Sequence, residues 1–572
     1  MTDEPEKDIN DVFSDILLSE DRIFEQSYNQ GYELGKGEEN IEAYHLGYHR
    51  GAELGAEIGY YTSITSYYLS HKSGDEKIVK ELDTLKEMLN SFPRENDPNV
   101  DILELIGKIR AKFKKICAVL KLQPSFPEQT IDSLLAFLEP LLGFANCHMV
   151  DFYTQNSYKK FVSPEIQNEI EQIGYENTIK RIFLNEFDAT PHLKQFVEDS
   201  SKFTLKNCHV CLNLDSFTQK LQSWGCDTLD TFKLEIFMNA KKSHEVEILS
   251  AVAAALFRVS QASHVVDLGD GKGYLSSMLA LQHQIPVVGI DASNTNTCGA
   301  IKRATKLSKV WNGIPKAPHK SLPKKTENFA SPHVELYKQV TRFVDERFDL
   351  LGLVRDVFPN VSHLGLVGLH TCGDLAASSL KIFSRNEAVK SVCNVGCCYH
   401  LLDESGFPLS RFLTDRGFVL GRSARMIANQ SVERVLQEGE LPNITIFYRA
   451  ILQVLLEEFC TDLPTKHVGK FRKVPVNFLD YVRLALKRID VTLDLTDNEV
   501  GAIFSRYEKR LNELNVFYLL RCKLSPVVES LILLDRLLFL QEQGFENSFL
   551  VQFFDPVVSP RCYGIVAVKN AL

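Results

Sequence analysis

The residues best suited to chemistry fall in two stretches of the 572-residue chain. The first is Val265-Val-Asp-Leu-Gly-Asp-Gly-Lys-Gly-Tyr-Leu275. Its alternate glycines, Gly269, Gly271 and Gly273, permit a tight turn and let a ligand approach the backbone closely. The spacing is G-x-G-x-G. Dinucleotide sites favour G-x-G-x-x-G, with room for a pyrophosphate at the helix start. Asp267, two residues before the first glycine, suits a ligand bearing an ammonium group. Asp291 follows 24 residues later, where a carboxylate accepts both ribose hydroxyls of a nucleoside cofactor. The pattern points to S-adenosylmethionine ahead of a nicotinamide dinucleotide. A tight turn in a non-binding α/β domain is the bland alternative.

The second stretch joins Leu369-His-Thr-Cys-Gly-Asp-Leu375 to Val395-Gly-Cys-Cys-Tyr-His-Leu401. Both segments follow predicted strand ends, where open α/β sheets bind their ligands. His370, Cys372, Asp374, Cys397, Cys398, Tyr399 and His400 therefore have reason to gather beside the cofactor. Three readings stand. His370 or His400 is a general base, with Cys397 beside it, because imidazole titrates near neutrality. Alternatively Cys372, Cys397, Cys398 and His400 bind zinc, since cysteine and histidine together suit a tetrahedral site. Or all are small core residues and satisfied histidines. Cys208-His-Val-Cys211 lacks a second pair and reads as structural.

These residues need a sheet to hold them. Buried strands are predicted at His264–Leu268 and Pro286–Asp291, with further strands at Leu364–Leu369 and Ser391–Val395. A closing hairpin is predicted from Ser548–Phe554 and Tyr563–Lys569. A helix over 244–258, with Ser243 as N-cap, precedes the first strand. Lys242 and His244 stand at its start and are counted with the cofactor-binding residues. Alternating strands and helices give an α/β, Rossmann-like fold: a mainly parallel sheet with a terminal antiparallel hairpin. The organisation expected is a helical region over 1–126, a helical extension over 127–235, and the Rossmann-like domain over 236–572. The last holds a helical insertion over about 425–543. The segment 302–326 reads as a loop rich in lysine, with Trp311 among its cations. Such a loop suits phosphates and a stacked base, and equally a solvated insertion.

The net charge of −10 argues against wholesale nucleic-acid coating. No apolar run is long enough for a membrane helix, and the acidic start fits neither a secretory signal nor a mitochondrial presequence. Cytoplasm or nucleus is the expected compartment. The thirteen cysteines are scattered, as expected of thiols or metal ligands in a reducing compartment.

Residues 1–60 hold fifteen acidic residues against four basic ones. Within them Gly31, Gly35, Gly47, Gly51, Gly55 and Gly59 follow a four-residue period. On a helix that period makes one slowly drifting stripe. Six helical glycines cost roughly 5–6 kcal/mol relative to alanine, which a closely packed partner helix would offset. A flexible glycine-rich arm is the alternative.

This repeat, followed by Lys108-Ile-Arg-Ala-Lys-Phe-Lys-Lys-Ile-Cys-Ala-Val-Leu-Lys-Leu-Gln-Pro-Ser-Phe126, resembles the Lto/Yae family of deca-GX3 adaptors over residues 10–126. The resemblance implies a helical adaptor that pairs with a Yae-type partner and serves cytosolic iron–sulfur protein maturation. Residues 130–572 resemble the methyltransferase-like protein 25 family, also called ribosomal RNA adenine dimethylase domain-containing. That likeness rests on Lys242–Val246, Asp267–Gly273, Leu369–Leu375, Gly396–Leu402 and Asp555–Arg561. It implies an S-adenosylmethionine-dependent methyltransferase. The His-x-Cys-Gly and Cys-Cys-x-His pairing is similar to that of a tRNA ribose methyltransferase family, which suggests RNA as acceptor by analogy. Adenine N6 enzymes hold the amino group with an Asn/Asp-Pro-Pro-aromatic or Asn-Leu-Pro-aromatic segment. Here that place reads His370-Thr-Cys-Gly373, so these residues do not support the adenine dimethylase label. The rival reading is a non-enzymatic adaptor carrying a degenerate methyltransferase scaffold.

Overall fold

Short, mostly buried runs rich in valine and leucine form the centre of the molecule. In the computed structural model β1 (Cys211–Asn213), β2 (His264–Leu268), β3 (Val287–Asp291), β4 (Tyr337–Thr341), β5 (Leu364–Cys372), β6 (Val389–Cys397), β7 (Ser548–Gln552) and β8 (Tyr563–Val568) form one sheet. Their order is β1-β7-β8-β6-β5-β2-β3-β4. The strands β2, β5 and β6 pair in parallel in the middle, and β8 runs antiparallel to both β6 and β7. The structure describes parts of 51–69, then residues 76–93, 100–119, 127–208, 210–226, 229–314, 333–460, 467–469, 471 and 475–569.

The chain divides into two compact units, Met1–Pro124 and Ser125–Leu572. In the first, α1 (Glu76–Asn90) and α2 (Ile102–Val119) follow helical residues between 51 and 69. Leu82, Leu85 and Leu89 recur at helical spacing and so share one face. They pack with Ile109, Phe113 and Ile116 of α2 and with Tyr61. Glu57 is buried and accepts both Nε and Nη2 of Arg110, at 2.7 and 2.8 Å. A Cβ at Gly51, Gly55 or Gly59 would meet no atom of the described residues within 4 Å. Gly31, Gly35 and Gly47 lie outside the described residues.

In the second unit both faces of the sheet are covered, as parallel strands require. One face carries α3 (Ala240–Val259), α4 (Tyr274–Leu281) and the aromatic residues Phe217 and Trp224. The other packs on helices from residues 127–208 and 411–542, which share one core. Phe517 ties the two segments together, with ring centroids 4.9 Å from Phe144 and 5.0 Å from Phe152. The sequence reading differs in four places, the first being β4, which it did not predict. The helical extension contributes β1, which adds to the sheet beyond β7. The helix α3 starts earlier, because the Asn239 side chain caps it at 2.9 Å; Ser243 instead donates to the Leu234 carbonyl. Residues 302–310 are helical, within α5 (Asn294–Val310).

Candidate active site

The turn after β2 is shaped by its glycines. Gly269, Gly271 and Gly273 have φ of +77°, +59° and +70°, where side chains are rarely tolerated. At Gly273 space matters too: a Cβ would meet the Tyr337 hydroxyl and lie 3.0 Å from Ala300. The N–H groups of Gly269 and Asp270 donate to the Ile290 carbonyl at 2.9 and 3.1 Å, tying the loop to β3. Asp291 closes the arrangement. Its Oδ2 accepts the Gly271 N–H at 3.0 Å, and its Oδ1 accepts from Ser293 N–H and the Asn296 amide at 2.8 and 3.1 Å.

Behind this loop Asp267 is buried, with its Oδ2 2.9 Å from the Ser276 hydroxyl. The same hydroxyl lies 2.7 Å from Asp270 Oδ1, and the Tyr337 hydroxyl donates to Asp270 Oδ2. Burial first, and then the Asp270 carboxylate, push Asp267 well above the usual carboxylate range. Among the described residues no lysine or arginine forms an ion pair with Asp267, Asp270 or Asp291. These acids line a cleft of about 840 Å³ at the carboxyl ends of β2, β3 and β5. That volume suits a small-molecule ligand. Lys242, Arg342, Phe343, His370 and Cys372 line it as well.

The strands β5 and β6 end side by side, with Cys372 opposite Cys397. Their sulfurs are 3.3 Å apart, and Cys398, at a φ of +54°, brings a third sulfur to 3.4 Å from Cys372 and 3.6 Å from Cys397. The hydrogen bond from Cys397 is the main reason that the Cys372 thiol falls to about 6; Cys398 and His370 help, and burial opposes. Its neighbour's thiolate and burial push Cys397 far up. His370 is the extra residue at a register shift in β5, with φ +64°. The bulge turns its Nε2 to Glu245 Oε2, at 3.1 Å. Glu245 is buried in α3 and also accepts the Ser559 hydroxyl at 2.5 Å. Burial raises its carboxyl, but His370, Ser559 and Lys241 outweigh that and hold it below its ordinary value.

A family described as a methyltransferase domain matches residues 241–405, the span that holds this cleft. A human protein named probable methyltransferase-like protein 25 is 30% identical, covering 79% of this chain and 99% of its own length. Its mouse counterpart is 29% identical, covering 77% and 96%. The chain belongs to the methyltransferase-like protein 25 family. A segment amounting to 22% of the chain is 30% identical to mouse protein LTO1 homolog over 96% of that protein, and belongs with that family. The chain thus joins an LTO1-like segment to a methyltransferase domain. No helix among the described residues is long and apolar enough to cross a membrane.

Within this methyltransferase-like protein 25 domain, the cleft gathers Lys242, Asp267, Gly269, Gly271, Asp291 and His370 from the sequence reading. Gly273 stands just behind, as N-cap of α4. His244 is not a lining residue; its Nε2 accepts the Asp555 N–H at 3.3 Å. His400 stands apart from the three thiols, which group without it. Asn429 accepts the Tyr399 N–H through its oxygen, so its amide donates to His400 Nδ1, at 3.0 Å. Trp311 offers no stacking face: it is 1% exposed and packs on Phe232. Of the same loop, Lys316, Lys320, Lys324 and Lys325 lie outside the described residues. Cys208 and Cys211 are held by burial as neutral thiols with raised values. Sequence reasoning missed Glu245, Asp270, Tyr337, Arg342 and Phe343. Only Asp270, inside the glycine triplet, stood where a spacing argument could have found it.

Proposed function

We propose that the cleft binds S-adenosylmethionine and that the domain transfers its methyl group to RNA. The cofactor reading is carried by the carboxylates at the ends of β2 and β3, which have no basic ion-pair partner among the described residues. A cation is what such an acid cluster lacks. S-adenosylmethionine brings a sulfonium, an ammonium and two ribose hydroxyls. Asp267 and Asp270 would hold the ammonium, Asp291 the ribose, and Lys242 and Arg342 the carboxylate. Glycine at 269, 271 and 273 would let the backbone close on it. When bound, it supplies the methyl group, for a displacement governed by proximity and orientation.

A hydroxyl or amine acceptor must also lose a proton. His370 is suited to take it, because it faces the cleft and Glu245 fixes its ring. Cys397 turns its sulfur to Cys372, at 3.3 Å, and His400 faces Asn429, so neither competes. The RNA reading rests on Phe343, 77% exposed beside Arg342 in the cleft lining. An aromatic face next to a guanidinium stacks a base and holds a phosphate. The test is calorimetric binding of S-adenosylmethionine to the full chain, followed by labelled methyl transfer to total cellular RNA. Wild type should bind, and Gly271→Arg and Asp291→Ala should each weaken binding by at least about tenfold, roughly 1.4 kcal/mol. A folded wild type that binds nothing would remove the enzymatic reading. Label that survives ribonuclease treatment would remove RNA as acceptor.

A second reading concerns the first unit, which we propose pairs with a Yae-type adaptor. It is favoured by the space beside Gly51 and Gly55, where no described residue comes within 4 Å of an added Cβ.

A further inference from the structure

Three sulfurs from two adjacent strand ends converge on the cleft wall, and the methyl-transfer reading uses none of them. We infer that Cys372, Cys397 and Cys398 hold one zinc ion whose fourth position opens to the cleft. Zinc–sulfur bonds of about 2.3 Å in a tetrahedron place sulfurs about 3.8 Å apart. The observed separations are 3.3, 3.4 and 3.6 Å, so small side-chain rotations admit the ion. All three sulfurs lie within 4.8 Å of one another, and soft thiolate donors suit zinc, copper(I) or an iron–sulfur cluster, of which zinc is the ion that takes three protein ligands and leaves a fourth position to water.

The surroundings give a second, independent argument. Three thiolates around a divalent ion carry a net negative charge, which buried surroundings must balance. Arg536 is fully buried, and its Nε and Nη2 have no hydrogen-bond partner among the described residues. Its Nη1 fills the space that a side chain at Gly396, next to Cys397, would need. Arg561 is buried too; its Nη1 pairs with Glu529 at 2.7 Å, its Nη2 has no hydrogen-bond partner among the described residues, and its guanidinium lies 5.5 Å from the ring of Tyr399, next to Cys398. Unsatisfied buried donors are costly. Among the described residues Arg536 forms no ion pair, and Arg561 keeps one buried donor beyond its pair with Glu529; a zinc tris-thiolate would set a net negative charge beside both.

Structural zinc sites close the tetrahedron with a fourth protein ligand, whereas catalytic sites leave that position to water or substrate. Cys372 is exposed and lines the cleft, so the open position shares the space that His370 faces. It would hold a water, exchanged for the acceptor's oxygen. The thiols and arginines carry this inference without reference to the methyl donor, so it stands or falls separately from cofactor binding.

The test is metal analysis of the full chain purified without chelator, with cobalt(II) replacing zinc as a spectroscopic probe. About one zinc per chain is expected, with thiolate-to-cobalt charge-transfer absorption. Cys372→Ser, at the exposed thiol, should lower zinc affinity at least about tenfold. Cys298→Ser, at an exposed thiol outside the cluster, should keep the metal. If Cys397→Ser fails to fold, the Cys372 variant still decides. Full reactivity of all three thiols in a chain that takes up neither zinc nor cobalt would overturn the site. So would a Cys372–Cys397 disulfide in chain alkylated at lysis.

Discussion

His370 reaches the cleft because β5 carries one residue more than its neighbour at that point, and Glu245 then fixes the ring. The imidazole is the group placed to take the acceptor's proton, so His370→Ala should slow methyl transfer by about 10²–10⁴-fold. S-adenosylmethionine affinity should change far less, because the acids and glycines of the loop hold that ligand. An equal loss in both would mean that His370 shapes the cofactor site instead. Glu245 acts through His370 and leaves a separate signature. Its carboxyl lies below its ordinary value of 4.5, so its stabilisation is present above that pH and lost as pH falls through the lower folded value. Glu245→Gln should therefore cost about 1–3 kcal/mol near neutral pH. The gap from wild type should narrow as pH falls below 4.5 and through the lower folded value. Urea unfolding at both pH values measures it, and a pH-independent gap would show that the charge is not what counts.

At the scale of elements, the β7–β8 connection is anchored to α6 (Ser525–Glu542) by a buried pair, with Arg561 Nη1 2.7 Å from Glu529 Oε1. Tyr399 donates to the same oxygen at 2.9 Å, so the turn after β6 joins the same knot. Removing one partner of a buried pair strands the other's charge. Arg561→Met should cost about 3–5 kcal/mol, and adding Glu529→Gln should recover a large part of it. Additive losses in the double variant, read from urea midpoints, would rule out the coupling. The elements differ in how well local sequence announces them. The strand β2 is an unbroken buried run, and β3 is buried up to Asp291, whose carboxylate reaches the cleft; both are legible. The strand β4 escaped notice because Tyr337-Lys-Gln-Val-Thr341 is half-buried past its first residue and mixes polar with apolar side chains. The strand β1 has three residues and exists only by pairing with β7, more than 300 positions away. The loop glycines and Asp291 were legible because backbone conformation and spacing specify them. Glu245 was not: it reads as one more charge at a helix start, and its burial is set by Ser559, 314 residues on.

For the whole molecule, the division into Met1–Pro124 and Ser125–Leu572 separates two kinds of surface. Every cleft-lining residue belongs to the second unit. Residues 125–572 expressed alone should therefore bind S-adenosylmethionine with the affinity of the full chain. The first unit carries helical glycines whose missing side chains no described residue replaces. Such glycines destabilise a lone helix by about 1 kcal/mol each relative to alanine. If they serve only the chain's own folding, the double variant Gly51→Ala/Gly55→Ala gains stability and nothing else changes. If they let a partner's backbone approach, the same variant gains about 2 kcal/mol in isolation and loses affinity for a Yae-type protein. Thermal unfolding of residues 1–124, paired with co-purification of the full chain and its partner, reads both quantities. Opposite signs in the two measurements are the expected result. Higher stability with an undiminished complex would place the partner's contact elsewhere on the unit.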